Sequence, residues 1–226
     1  TYMNSPASVK AFCGAHGGLV CTSSNARRCF EWAFARGERI IFFPDEHLGR
    51  NTALDLGLSE DELVLWDPAA DHWGGNSLED IRRSKVILWK GYCHVHTWFS
   101  PEHVNDARER YPGCRVVVHP ECRHEVVAMA DANGSTAFMV DYVRDAPAGS
   151  TVVVGTEINL TSRLAMENPD KTVVELARSL CPNMFRISLK HLRHTLENLG
   201  EVNEIVVPEA DRLDARVALN RMLALP

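Results

Sequence analysis

Cysteine, histidine and glutamate recur directly after short apolar runs in this chain, and these are the side chains that bind metals and move protons. Cys93 stands in Trp89-Lys90-Gly91-Tyr92-Cys93, His119-Pro120-Glu121 follows Val116-Val117-Val118, and Cys181 opens Cys181-Pro182-Asn183-Met184. Thiolates are the usual anchors of iron–sulfur clusters, whereas the ordinary fate of a free cysteine is a small buried apolar residue. An imidazole and a carboxylate as close as His119 and Glu121 can pass protons when burial or a metal moves them toward neutrality. Pro120-Glu121 equally suits the first turn of a helix. Cys93-His94-Val95-His96 offers one thiolate and two imidazoles, which opens a zinc-dependent hydrolase as an alternative, although no fourth ligand is evident.

The elements that carry these residues are repeated. Thr22-Ser23-Ser24-Asn25-Ala26 precedes Ile40-Ile41-Phe42-Phe43 and then Pro44-Asp45-Glu46; Gly134-Ser135-Thr136-Ala137 precedes Val152-Val153-Val154 and then Gly155-Thr156-Glu157. Ser23 to Asp45 and Ser135 to Glu157 both span 22 residues, and both pairs are offset by 112. An ordered series at one offset marks repeated supersecondary units. Ser23 and Thr136 fall in equivalent turns ahead of helices, where free N–H groups and the helix dipole attract phosphate or carboxylate, although a lone hydroxyl there is ordinarily just an N-cap. Asp45, Glu46 and Glu157 also sit at strand ends and are expected to cap helices or meet nearby Arg and Lys. One spacing departs from the repeat: Asp45 to Cys93 is 48 residues and Glu157 to Cys181 only 24, so residues 60–84, with a short helix over 77–83, read as an insertion.

Apolar runs at 39–43, 85–89, 115–118, 151–154 and 204–207 predict strands, and 24–36, 101–111, 121–132, 170–180, 188–199 and 209–223 predict helices. Nearly continuous apolar strands alternating with helices imply an α/β fold with parallel sheets covered by helices. Ligands then bind beyond the carboxyl ends of the strands, where the Cys, His and Glu motifs lie. At 226 residues, 45% hydrophobic and 24% charged, the chain can bury a real core. A net charge of −6 with scattered basic residues argues against nucleic acid as a partner. No apolar run reaches the ~20 residues of a membrane span, and no export signal opens the sequence. A cytosolic protein is expected, in which seven cysteines, an odd number without C-x-x-C spacing, serve metal binding or packing rather than a disulfide framework.

Collinear motifs along essentially the whole chain resemble quinolinate synthase: Tyr2-Met3-Asn4, Cys21-Thr22-Ser23-Ser24-Asn25-Ala26, Trp89-x-Gly91-x-Cys93-x-Val95-His96, His119-Pro120-Glu121, Gly134-Ser135-Thr136, Pro169-x-Lys171 and Cys181-Pro182-Asn183-Met184. That resemblance implies pseudo-symmetric αβα domains around a 4Fe-4S cluster that leaves one iron open, with one cysteine from each of three domains. Cys93 and Cys181 are the two ligands it assigns here; the first domain, with the third cysteine, is expected to lie outside a chain that begins at Thr1. It further implies condensation of iminoaspartate, supplied by an aspartate-oxidising enzyme, with dihydroxyacetone phosphate. Glu121, His119 and Tyr2 would be catalytic, and Tyr2, Met3, Asn4, Ser23, His119, Pro120, Glu121, Ser135 and Thr136 would hold substrate. Residues 1–95 and 96–185 become the second and third repeats, and 186–226 a strand and helix packing on the absent first domain. A non-catalytic α/β fragment is the remaining alternative.

Overall fold

Two short parallel sheets place the reactive residues, and their strands are built from the β-branched runs. The computed structural model describes residues 1–225. In chain order the elements are α1 (Ala7–Ala15), α2 (Ala26–Phe34), β1 (Ile40–Phe42), α3 (Glu46–Asp55), β2 (Leu63–Trp66), α4 (Leu78–Arg83), β3 (Val86–Trp89), α5 (His94–Thr97), α6 (Pro101–Arg110), β4 (Arg115–Val118), α7 (His124–Met129), β5 (Ala132–Asn133), α8 (Thr136–Asp145), β6 (Thr151–Gly155), α9 (Ile158–Glu167), β7 (Thr172–Glu175), α10 (Pro182–Phe185), α11 (Leu189–Glu197) and α12 (Glu209–Leu223). The first sheet has the order β1-β3-β2 and the second β5-β4-β6-β7, with every pairing parallel.

The second sheet shows why its strands carry no polar alternation. Val116, Val118 and Val153 face one helical layer with Phe99, Val104 and Val126, while Val117, Val152 and Val154 face the other with Met139, Val143 and Leu164. Both faces are dry, so the central residues of β4 and β6 must be apolar, and polar residues such as Arg115 and Thr151 are confined to strand ends. Each such valine contributes about 1.5–3 kcal/mol relative to an exposed one. In the first sheet Phe42, Val86 and Leu88 pack on α2 and α3 through Phe30 and Leu48.

The repeat is exact over its best-formed helix: α3 begins and ends 112 residues before α9. Each follows the strand that its repeat motif predicted. Four expectations require correction. Residues 170–180 form not a helix but β7 and a loop, because Thr172-Val173-Val174 is a β-branched run that pairs with Val152 and Val153 of β6. Residues 121–132 hold only the short α7 followed by β5. Residues 204–207 are not a strand: Ile205 and Val206 are exposed and have no strand to supply ladder partners among the described residues. The segment 60–84 is more than a loop and helix, since β2 within it pairs with β3 from Leu63↔Val86 to Trp66↔Trp89. Helices α1, α3, α5, α8, α9 and α10 lie outside the six predicted helical segments. The closing helix α12 packs on α1, where Arg221 donates to the carbonyls of Gly14 and Gly18 at 3.0 and 2.7 Å. Among the described residues no helix is long and apolar enough to cross a membrane.

Candidate active site

Strand ends from both sheets open onto one cavity of about 800 Å³. Asp45 follows β1, Cys93 follows β3, His119 and Glu121 follow β4, Thr156 and Glu157 follow β6, and Cys181 follows the loop after β7; all of them line it, together with Tyr2, Asn4, His94, His96 and Thr136.

The two cysteines stand in the same local structure. Cys93 (φ −87°, ψ 115°) caps α5 and Cys181 (φ −97°, ψ 107°) caps α10, each a single four-residue helical turn. The same backbone clip positions both: the N–H of Glu46 donates to the Gly91 carbonyl at 2.8 Å, and that of Ile158 to the Ser179 carbonyl at 3.0 Å, two residues before each cysteine. The strand-end carboxylates complete the clip. Asp45 accepts from the N–H of Leu48 at 2.7 Å and of Cys93 at 3.1 Å, and Glu157 accepts from the N–H of Asn159 at 2.8 Å. Burial, reinforced by Glu121, pushes Asp45 up to about 7. The turn also requires a glycine: a Cβ on Gly91 would lie 2.3 Å from the carbonyl oxygen of Pro44. Gly91→Ala is therefore expected to destabilise the protein by about 1–3 kcal/mol, read as a lower denaturant midpoint, and to disturb the Cys93 turn with it.

The proton-handling groups are buried together. His96 Nδ1 lies 2.7 Å from Glu121 Oε2 and its Nε2 3.3 Å from the Thr156 hydroxyl. The His96 and His119 rings stack at 4.3 Å. The Glu121 N–H donates to His119 Nδ1 at 3.3 Å, which leaves the His119 proton on Nε2. Burial, then the neighbouring His96, drives His119 down to about 3, so it is a neutral imidazole at ordinary pH. Burial favours the neutral form of Glu121, but the His96 hydrogen bond and both imidazoles outweigh it and hold the carboxyl below its usual range. Burial and the Glu121 carboxylate push the Tyr2 phenol well above its usual range, while a contact with Ser23 acts the other way. Burial, with Glu121 behind it, lifts Cys93 to about 11. A nearby cation would reverse that balance and favour the thiolate.

Of the residues expected from sequence, Tyr2, Asn4, Cys93, His119, Glu121, Thr136 and Cys181 line the cavity. Ser23 meets the Tyr2 phenol. The Ser135 hydroxyl caps α8 by accepting from the Phe138 N–H at 3.2 Å, whereas Met3 and Pro120 are not on the cavity wall. The zinc set Cys93, His94 and His96 does not converge. The three donor atoms within 4.8 Å of one another belong to Cys93, His96 and Glu121, and His94 is exposed. Both ring nitrogens of His96 are already engaged, so a metal at that triad must displace a hydrogen bond. Among the described residues the thiols of Cys93 and Cys181 carry no such competing side-chain bond, and both line the same cavity, with donor chemistry that suits a thiophilic metal. Thr156 was not singled out as a site residue from sequence, and His96 only as a ligand of the zinc alternative, not as a partner of Glu121; His96 lies three residues after Cys93, on the turn that the cysteine caps.

A sequence profile for the family described as Quinolinate synthetase A protein matches residues 1–224. The chain belongs to that family. Quinolinate synthase of Acidobacterium capsulatum is 54% identical over 235 residues, covering 100% of this chain and 62% of that protein. Quinolinate synthase of Rhodopirellula baltica is 50% identical over 230 residues, with coverages of 100% and 59%, and that of Bacillus subtilis is 48% identical, with 100% and 62%. This member of the quinolinate synthetase A family therefore spans about six tenths of the length of the curated relatives it matches.

Proposed function

We propose that this chain supplies two of three repeats of a quinolinate synthase, which condenses iminoaspartate with dihydroxyacetone phosphate to quinolinate, phosphate and water in de novo NAD biosynthesis. The observation that carries this reading is the pair of cysteines, Cys93 and Cys181, set in matching turns on one cavity beside Glu121, His96 and His119. Cys93 and Cys181 would hold a 4Fe-4S cluster with a third cysteine from the remainder of the longer protein. Such a cluster, bound by three thiolates, supplies an open iron that acts as a Lewis acid toward a hydroxyl or carboxylate oxygen.

The chain's own residues bind and move protons. Both substrates are anions, and the N-terminus of α8 with Thr136 on the cavity wall favours a phosphate or carboxylate there. Tyr2 and Asn4 line the cavity, and Tyr2 packs in the core of the first sheet where Ser23 meets its phenol, so both repeats would contribute to holding substrate. Glu121, held as a carboxylate, is the base that takes a proton from carbon or nitrogen during condensation and returns it to a departing hydroxyl. His96 Nδ1 orients it and His119, neutral with its proton on Nε2, is a donor that does not compete for the same charge. Residues 1–95 and 96–185 are the second and third repeats on this reading. The exposed Leu189, Leu192 and Leu196 of α11 and the exposed Ile205-Val206 then await the first repeat, even though α12 packs on α1. The protein works in the cytosol, and an aspartate-oxidising enzyme provides its iminoaspartate.

Iron, zinc and acid-labile sulfide measured on the anaerobically purified full-length protein test the assignment. About four irons with matching sulfide per chain are expected. Zinc without sulfide would return the metalloenzyme alternative at Cys93, His96 and Glu121, and no metal at all would favour a non-catalytic role.

A further inference from the structure

We propose that Asn51 is a positioning residue for Glu121, holding from one repeat the turn that carries the acid–base group of the other; the inference rests on the role given to Glu121 above. Asn51 lies on α3, buried at 7% exposure, and its Nδ2 donates to the carbonyls of both Pro120 and Cys122 at 2.8 Å. Carbonyls only accept, so both amide hydrogens are spent and the orientation of the amide is fixed. Its Oδ1 then faces His124 Nδ1 at 2.9 Å, and that nitrogen must be the donor. Every polar atom of the side chain has a partner in the other repeat.

The two carbonyls belong to the segment that aims Glu121. The Cys122 N–H donates to the His119 carbonyl at 2.9 Å and closes a turn with Pro120 and Glu121 at its centre. Pro120 fixes its own φ but offers no N–H, and residues 118–122 are all buried. Without Asn51 the buried Pro120 and Cys122 carbonyls would lose an amide partner each, and the turn would have to rotate to find others. Rotation there carries the Glu121 carboxylate away from His96, 2.7 Å distant. Asn51 is not explained by the repeat: the residue 112 positions on is Arg163 of α9, an exposed partner of Glu167. The feature belongs to the junction between the repeats.

The test is a double-variant cycle in the full-length protein, with Asn51→Ala and Asn51→Ser each made alone and together with Glu121→Gln. If Asn51 acts through Glu121, each substitution lowers kcat about 10- to 100-fold in the wild-type background and less than about threefold beside Glu121→Gln. Iron content stays at the wild-type level, and the amides of Glu121 and Cys122 exchange hydrogen faster. An equal loss in both backgrounds, unchanged exchange, or loss of iron overturns the inference. Asn51→Ser, which keeps a donor, serves if the alanine variant does not fold. Should Glu121→Gln alone retain full turnover, the acid–base assignment fails, and the exchange rates by themselves still decide whether Asn51 holds the turn.

Discussion

On the proposed reading, Cys93→Ala in the full-length protein is expected to lose iron and sulfide and to lower turnover by about 1,000-fold or more, because Lewis-acid stabilisation worth several kcal/mol would be lost with the cluster. The side chain sits at the N-cap of a single helical turn, with its N–H held by Asp45, so alanine leaves the local backbone bonds in place. The loss should therefore be one of metal, not of fold. Cys181→Ala should match it, since the second cysteine occupies the same setting in the other repeat. Cys114, whose thiol donates to the Ala107 carbonyl at 3.8 Å away from the cavity lining, provides the control: Cys114→Ala should retain iron and turnover. Retention of the full iron complement with normal turnover in Cys93→Ala would sink the ligand assignment.

Glu121→Gln has the second largest expected effect and the opposite signature. The amide is nearly isosteric and its oxygen can still accept from His96 Nδ1, so the cavity and the iron should persist. The carboxylate as a proton acceptor is gone, which removes about 100- to 10,000-fold in kcat. A variant with normal iron and unchanged kcat would remove Glu121 from the proton transfers and leave it as a structural acceptor for His96.

The contrast between these two variants follows from how the site is assembled. Cys93 and Cys181 are presented by local structure, each as the residue before a one-turn helix, but the shared offset that made the repeated units readable stops short of them, because β2 and α4 lengthen the path from Asp45 to Cys93. The strands of the second sheet were equally legible, since Val116-Val117-Val118 and Val152-Val153-Val154 are buried on both faces and tolerate no polar residue. Residues 170–180 were not, because Val173, Val174, Leu176 and Ala177 fit a helical face as readily as a strand, and only pairing with β6 selects the strand. The run Ile205-Val206 failed in the opposite direction: its propensity is that of a strand, yet among the described residues no neighbouring strand meets it.

By itself the sequence determined the α/β class, the 112-residue repeat, the capped turn before α8 and the family motifs that single out Cys93, His119, Glu121 and Cys181. Only the tertiary structure decided the proton network and its support. His96 meets Glu121 across 25 residues and Thr156 across 60, and Asn51 meets Pro120 across 69. Spacings of that size carry no periodicity. They are set by which strand ends two parallel sheets bring to one cavity, and burial there forces each polar group to find a partner wherever in the chain it lies.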